Sequence, residues 1–415
     1  MKKTITQFSI FFTQSSFGAS IDEAVETAVS PITKALSSAV FFEINLFGQA
    51  MPLIVLWLVS AGLFFTIYLR FINIRGFTHA IRVARGDYKD SDADGEISHF
   101  QAVSTAISGT VGIGNIGGVA VAIGIGGPGA AFWLFFAGFL GMSTKLVECT
   151  LGVKYRKIKQ NGSVSGGPMH YLEALLSERR LPRVGKFLGN FYALALVIGC
   201  FGIGNMFQSN QAYVQFINIT GGDQSFFNER GWLFGLLMAF TVGAVIIGGI
   251  KSIAKAASKI VPFMGILYFS SSLVILILSA EHLVDSIILI VSEAFSTQST
   301  TGGMIGAMIV GFQRAVFSNE AGIGSASIAH SAVQTKEPVS EGIVSLLEPF
   351  IDTMVICTLT SLVIVSTAYP AGLMVSDLEG IELTSAAFAY HISWAPYPLA
   401  IAGLLFAFST SLAWS

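Results

Sequence analysis

The chain is poor in charge. Asp, Glu, Lys and Arg together make up 12% of its 415 residues, about half the share carried by an ordinary soluble domain. That scarcity excludes a globule wetted on all sides. The formal charge is −2, and without a basic excess no nucleic-acid surface is expected. There are only three cysteines. Cys149, Cys200 and Cys357 lie inside apolar runs without metal spacing, and read as small core residues rather than a disulfide framework. The six histidines (His79, His99, His170, His282, His330 and His391) are scattered near the ends of apolar runs, with no metal or relay spacing. His-Glu-x-x-His is absent and no nucleophile–base pairing stands out, which disfavours a membrane enzyme.

What the chain does have is apolar length. It is 53% hydrophobic with a mean hydropathy of +0.70, the composition of an all-α polytopic membrane protein. Stretches long enough to cross a bilayer fall near 51–70, 101–124, 130–153, 187–217, 231–250, 256–279, 303–330, 343–369 and 394–414. Residues 1–50 read as an extracytoplasmic or interfacial segment, and 51–415 as the transmembrane domain. Lys2-Lys3, a weak apolar patch and Gly18-Ala19-Ser20 loosely resemble a signal peptide, so a cleaved leader is one reading of the first residues. Residues 21–47 show helical spacing around Pro31 and are expected to form an interfacial or external helix.

Charge between the spans sets the orientation. With 51–70 running outside to inside, the cytoplasmic loops hold Arg70 to Lys89, Lys154 to Lys186, Lys251 to Lys259, and Lys336. They then carry seventeen of the 23 cationic residues. The opposite loops hold only Arg230 and are acidic, with Asp223, Glu281, Asp285, Asp377, Glu379 and Glu382. This reading places the N-terminus outside and Ser415 on the cytoplasmic side.

Two glycine-rich tracts interrupt apolar runs: Thr110-Val111-Gly112-Ile113-Gly114-Asn115 and Ser318-Asn319-Glu320-Ala321-Gly322-Ile323-Gly324. Glycine weakens a helix, and an unwound turn at membrane depth survives only when buried in protein or lining a cavity. A break frees N–H groups on one half-helix and carbonyls on the other. Amides attract a carboxylate; carbonyls and hydroxyls suit a hard cation such as sodium, and Asn115 and Ser318 stand beside the breaks to add neutral oxygens. Under the assigned orientation the two broken segments run in opposite directions at the head of two blocks. The first spans about 101–279 and the second begins near 303. An inverted repeat requires that arrangement. The second block holds three spans before Ser415, so a five-helix repeat would lack two helices, and a C-terminally truncated chain is expected.

Ionisable residues at depth are functional candidates. Glu320 belongs to the second break, and Arg314 is its candidate partner or an outer-gate charge. Glu348 and Asp352 share a helix face at i, i+4 and are candidates to pair with Arg314 or order a cation path, while Lys145 and Glu148 at i, i+3 are expected to neutralise each other. Within the polar run Asn205, Gln208, Asn210 and Gln211, the residues Gln208 and Gln211 lie near one face, either lining a pocket or joining helices.

The chain resembles the alanine/glycine:cation symporter family over most of residues 50–415. The resemblance is carried by Thr110-Val-Gly-Ile-Gly-Asn115-Ile-Gly-Gly-Val, by Gly126-Gly-Pro-Gly-Ala-Ala-Phe-Trp133 followed by Gly141-Met-Ser-Thr-Lys145, by Gly166-Gly-Pro168-Met-His-Tyr171, by Phe317-Ser-Asn-Glu320-Ala-Gly-Ile-Gly324 and by Phe408-Ser-Thr-Ser411-Leu-Ala-Trp414. Phe135 stands where the family signature usually has a second Trp, which keeps an aromatic. The resemblance implies a leucine-transporter-like fold of the APC superfamily. That fold has a five-plus-five inverted repeat, here preceded by a leading helix and cut before the last two helices. It further implies that a substrate carboxylate meets Ile113, Gly114, Gly112 and Thr110, that the amino group faces Phe317, Ser318, Asn319 and Glu320, and that Gln208 lines the pocket. Sodium would sit among Ser108, Val111, Ser409 and Thr410, with Asn115 near.

The expected function is sodium-coupled symport of alanine or glycine by a monomer, surrounded by lipid, in a bacterial inner membrane. A proton-coupled carrier of the same fold is the nearer alternative. In such carriers a lysine often replaces sodium in the fifth core helix, whereas Lys255 and Lys259 lie only at the start of 256–279. A channel is the more remote one, since filters are normally built from parallel or identical repeats.

Overall fold

The computed structural model describes residues 19–46, 49–88, 92–296, 303–375, 378 and 380–415. The leader-like residues Lys2, Lys3 and Gly18, together with Lys89, Asp377 and Glu379 from the charge reading, lie outside them. The chain starts with α1 (Ala19–Val40) and a hairpin of β1 (Glu43–Leu46) and β2 (Gln49–Pro52). The expected helix over 21–47 therefore ends at Val40. From Glu43 onward the backbone pairs with the strand leading into the first span.

Next come α2 (Leu53–Tyr68), α3 (Ile72–Arg75), α4 (Phe77–Arg85), and the broken pair α5 (His99–Thr110) and α6 (Gly117–Gly126). Ser98 opens α5 with a reciprocal capping box to Gln101, which satisfies the first free amides. The long α7 (Gly129–Lys154) is followed by the small hairpin β3 (Lys157–Ile158) and β4 (Val164–Ser165), then α8 (Pro168–Glu178), α9 (Pro182–Gly199) and α10 (Gln208–Ile219). A π-helical stretch, Cys200–Phe207, joins the last two into one span. After α11 (Gly231–Ile246), α12 (Gly249–Leu278) and α13 (Ala280–Ala294) comes the second broken segment, α14 (Gly303–Asn319) and α15 (Ala326–Ser331). The chain continues through α16 (Pro338–Val344), α17 (Leu347–Pro349), a second π-helical stretch (Phe350–Cys357), α18 (Thr358–Thr367), α19 (Gly380–Ala389) and α20 (Pro396–Ala413).

By length and composition, α7, α9–α10, α12, α16–α18 and α20 are able to cross a membrane, and α5–α6 forms a sixth span bent by 63° at its break. The helices α2 and α11 are apolar but shorter. The span expected at 256–279 starts earlier, at Gly249, because Lys251, Lys255 and Lys259 are carried on its first turns. Hydropathy does not single out α13 and α19, whose apolar runs are short or mixed with acidic residues.

Burial is inverted relative to a soluble protein. Phe240 and Ile247 are 75% and 88% exposed, whereas Asn115, Lys145, Glu348 and Asp352 are fully buried. Apolar side chains facing outward cost nothing in lipid, while polar groups there must find partners inside. The helix α7 is central and packs against α2, α6, α13, α14, α15 and α16. Its glycines permit the close approaches: a Cβ at Gly129 would lie 2.5 Å from the Ala294 amide, and one at Gly152 would lie 2.6 Å from the Ser327 carbonyl.

Candidate functional site

Both glycine tracts unwind. The first helix stops at Thr110 and turns through a short 3-10 stretch, Ile113–Asn115, before α6. The second stops at Asn319, where Glu320, Gly322 and Gly324 take positive φ values of 55°, 95° and 89°. Two of those positions suit glycine, and Glu320 is held there although it is not one.

The breaks face each other across a buried polar knot. Asn115 Oδ1 accepts the Gly112 amide at 2.9 Å, and Asn115 Nδ2 donates to Ser318 Oγ at 3.0 Å and to Asp352 Oδ1 at 2.6 Å. Ser318 Oγ donates to the other Asp352 oxygen at 2.6 Å. Asn319 closes the second break, donating to Thr353 Oγ1 at 2.9 Å and accepting the Ala321 amide at 3.0 Å. A cavity of about 20 Å³, room for roughly one water, lies beside Asn319 between α2, α7 and α14.

On the other side of the first break, Gln208 Oε1 accepts the Ile113 amide at 3.2 Å. The space a Gly112 side chain would take is filled by Gln208 Oε1 and Thr410 Oγ1, each 3.0 Å from an ideal Cβ. At Gly114 the Phe317 ring stands at 3.1 Å. Thr110 turns its hydroxyl back to the Ala106 and Ile107 carbonyls. Gln211, also buried, donates to Asn210.

The expected cation ligands on α5 and α20 come together. Ser108 Oγ donates to the Ser409 carbonyl at 2.6 Å, and Thr410 Oγ1 lies 3.4 Å from the Val111 carbonyl. In a continuous helix the Gly112 amide would bond the Ser108 carbonyl; here it donates to Asn115. Asn115, expected among the sodium ligands, hydrogen-bonds to both breaks.

Other charged residues differ from expectation. Lys145 forms its close ion pair with Glu348 at 3.2 Å, and Glu148 is a second carboxylate within electrostatic reach; Glu148 accepts the Gly322 amide at 2.5 Å, because the loop bends back over α7. Glu320 accepts from Ser325 within its own loop. Among the described residues Arg314 forms no ion pair and turns toward Gly118 of α6. The π-helical stretch begins between Glu348 and Asp352: the first joins a charge cluster and the second joins the knot.

Sequence spacing missed that cluster. His99 bonds one oxygen of Glu341, and His330 Nδ1 lies 2.5 Å from the other. His330 Nε2 lies 2.5 Å from Glu348, which also meets Lys145. The partners come from α5, α7, α15, α16 and α17, so only the packed fold brings them together. Nearby, Arg156 donates to the backbone carbonyls of Asp94, Ser331, Val333 and Thr335 at 2.5–2.9 Å. Outside the spans, burial and then Lys157 hold the His170 imidazole below its ordinary pKa, beside Ser165.

Comparison with known proteins identifies the family and the fold. The chain is 40% identical over 365 residues to sodium/alanine symporter AgcS of Methanococcus maripaludis, covering 88% of this chain and 78% of that one. It is 35% identical to the probable sodium/glutamine symporter GlnT of Bacillus subtilis, covering 86% and 71%. Among solved structures, MhsT in complex with L-phenylalanine superposes with a TM-score of 0.57 at 18% identity, over 77% of this chain and 72% of that one. That likeness gives the chain a leucine-transporter-like fold. The profile described as the sodium:alanine symporter family matches residues 34–415, and the chain belongs to that family of multi-pass, sodium-coupled amino-acid symporters.

Proposed function

We propose that the chain carries a small neutral amino acid, alanine or glycine, into the cell together with sodium. The observation that supports this reading best is the meeting of the two unwound turns at Asn115, Ser318 and Asp352, beside the oxygen-rich contact of α5 with α20. The substrate carboxylate takes the amides of Ile113 and Gly114, displacing the Gln208 oxygen that now occupies the first. Gly112 and Thr110 shape that side. The ammonium group faces the carbonyls of Phe317 and Ser318, with Asn319 and Glu320 behind them. Sodium lies among the carbonyls of Ser108 and Val111 and the hydroxyls of Ser409 and Thr410. The crowding of Gly112 and Gly114 by Gln208, Thr410 and Phe317 favours a short side chain.

Entry of sodium drives uphill uptake, each charge gaining about 2.3 kcal/mol per 100 mV of membrane potential. The broken helices head two inverted repeats, one over about 101–279 and one from about 303, that rock around the fixed site. The protein sits in the inner membrane with its N-terminus outside, in keeping with the cationic loops, and acts as a monomer. The test is uptake of labelled alanine and glycine by proteoliposomes under an inward sodium gradient. Uptake that persists when choline replaces sodium refutes the coupling; saturable sodium-dependent uptake supports it.

A further inference from the structure

The cluster of His99, Glu341, His330, Glu348 and Lys145 contains none of the proposed substrate and sodium ligands, though Glu320 is within electrostatic reach of Lys145, and its proton count is unusual. Three nitrogen–carboxylate contacts join it: His99 to Glu341, His330 Nδ1 to Glu341 and His330 Nε2 to Glu348. Each needs a proton between its atoms. A neutral imidazole supplies only one, so two neutral histidines satisfy two contacts and the third requires an additional proton. With that proton, Lys145 and an imidazolium balance two carboxylates. Without it, a net negative charge is left where Lys145, His330, Glu341 and Glu348 are fully buried, and an uncompensated buried charge is strongly destabilising. The remaining neighbours do not relieve it. On α7, the Cys149 thiol lies within 4.8 Å of His330 and Glu348, and Glu148 faces Lys145, as does Glu320 from the second break. Among the described residues the other nearby cation is Arg156, which hydrogen-bonds backbone carbonyls and reaches Glu341 only through space from a half-buried position where solvent screens it. Cys149, His330 and Glu348 have a spacing that would suit a metal ion, but Lys145 already serves Glu348 and repels a divalent cation.

The location gives the proton a task. His99 begins the first broken segment, and His330 lies in the last turn of the second. Their backbones are bridged there too, with Ile97 donating to Ala332 and Gln334 donating to Ile97. We propose that the cluster is a proton-binding site whose occupancy latches the start of the first broken helix to the end of the second. Loss of the proton weakens the latch and favours separation of those ends. That the latch faces the cytoplasm rests on the orientation proposed above; the proton itself does not.

The direct test is nitrogen NMR of the full chain with 15N-labelled histidine, in lipid at about pH 8, where an unperturbed histidine is neutral. One histidine protonated on both nitrogens is expected. It should persist in the variant carrying His79→Gln, His170→Gln, His282→Gln and His391→Gln, and vanish in His330→Gln. If all histidines are neutral, the proposal is overturned, whether or not the protein carries alanine. The second test varies lumenal pH in proteoliposomes holding the protein with its cytoplasmic face inward. Raising that pH should change the wild-type uptake rate severalfold and leave His330→Gln flat; an equal response in both overturns the latch. Should His330→Gln fail to fold, His99→Gln is read instead, with the midpoint of its pH response expected to move away from the wild-type value because Glu341 has lost one hydrogen-bond partner. An unchanged midpoint in that variant also overturns the latch.

Discussion

Asn115 and Ser318, 203 positions apart in the chain, share a 3.0 Å hydrogen bond, and both hold the carboxylate of Asp352. The two unwound turns are thereby fixed against one another through a third element, the π-helical stretch following α17.

Replacing Asn115 with Ala should therefore cost stability as well as transport. Asp352 loses a donor and the Gly112 amide loses its acceptor, each worth about 1–3 kcal/mol when buried. Thermal unfolding in detergent should shift down and initial uptake should fall at least tenfold. Asn115→Asp should be worse, since it sets a second carboxylate against Asp352. Wild-type uptake in either variant would show that the cross-link is dispensable.

Gln208 occupies the Ile113 amide, which is proposed above to take the substrate carboxylate. Gln208→Ala should tighten alanine binding by about fivefold, the equivalent of one modest hydrogen bond of about 1 kcal/mol. Gln208→Glu should weaken it by more, through repulsion. Binding measured at saturating sodium distinguishes the two; weaker binding in Gln208→Ala would make this side chain a ligand and not a competitor.

Thr410→Val keeps the shape of the side chain and deletes its hydroxyl. The sodium concentration for half-maximal uptake should rise about tenfold, corresponding to about 1.4 kcal/mol, with Ser409→Ala acting in the same direction. Alanine affinity at saturating sodium should change little. A sodium curve unaltered in both variants removes these hydroxyls from the cation site.

Lys145→Met leaves Glu348 with His330 but without its ammonium. Breaking a buried pair from one side costs about 3–5 kcal/mol, so the variant should unfold at lower temperature. Lys145→Met combined with Glu348→Gln should recover part of the loss. If the double variant is no more stable than the single one, the ion pair is not the source.

A Cβ at Gly342 would stand 2.0 Å from Thr150 Oγ1 and 2.6 Å from the Leu146 carbonyl, whereas one at Gly124 meets nothing within 4 Å. Gly342→Ala should destabilise by about 1–3 kcal/mol through overpacking of α16 on α7. Gly124→Ala should be neutral or stabilising by up to about 1 kcal/mol. Equal effects would mean that α16 and α7 are looser than described.

The two breaks were legible from the sequence because glycine weakens a helix wherever it occurs, a strictly local property. The contact of Ser108 with Ser409 and Thr410 with Val111 came through the family likeness; no local signal links residues some 300 apart. The charge partners were not legible. Helical spacing offered Lys145 a neighbour in Glu148, yet the loop at Gly322 took that carboxylate and the packed face of α17 supplied Glu348. His99 and His330 looked scattered for the same reason, since each is bridged by carboxylates from other helices. Hydropathy found the long spans but passed over α13 and α19, which bury one face against neighbours and show no apolar run long enough to cross a bilayer.

Among the described residues Arg156 hydrogen-bonds to four carbonyls and no side chain, three of the carbonyls at the end of the second broken segment and the fourth on Asp94. Main-chain oxygens are the same whatever residue carries them. The stretch from Ser331 to Thr335 is therefore free to drift in evolution as far as this anchor is concerned, while position 156 is not: a lysine there has one ammonium for a task that uses both arms of a planar fork.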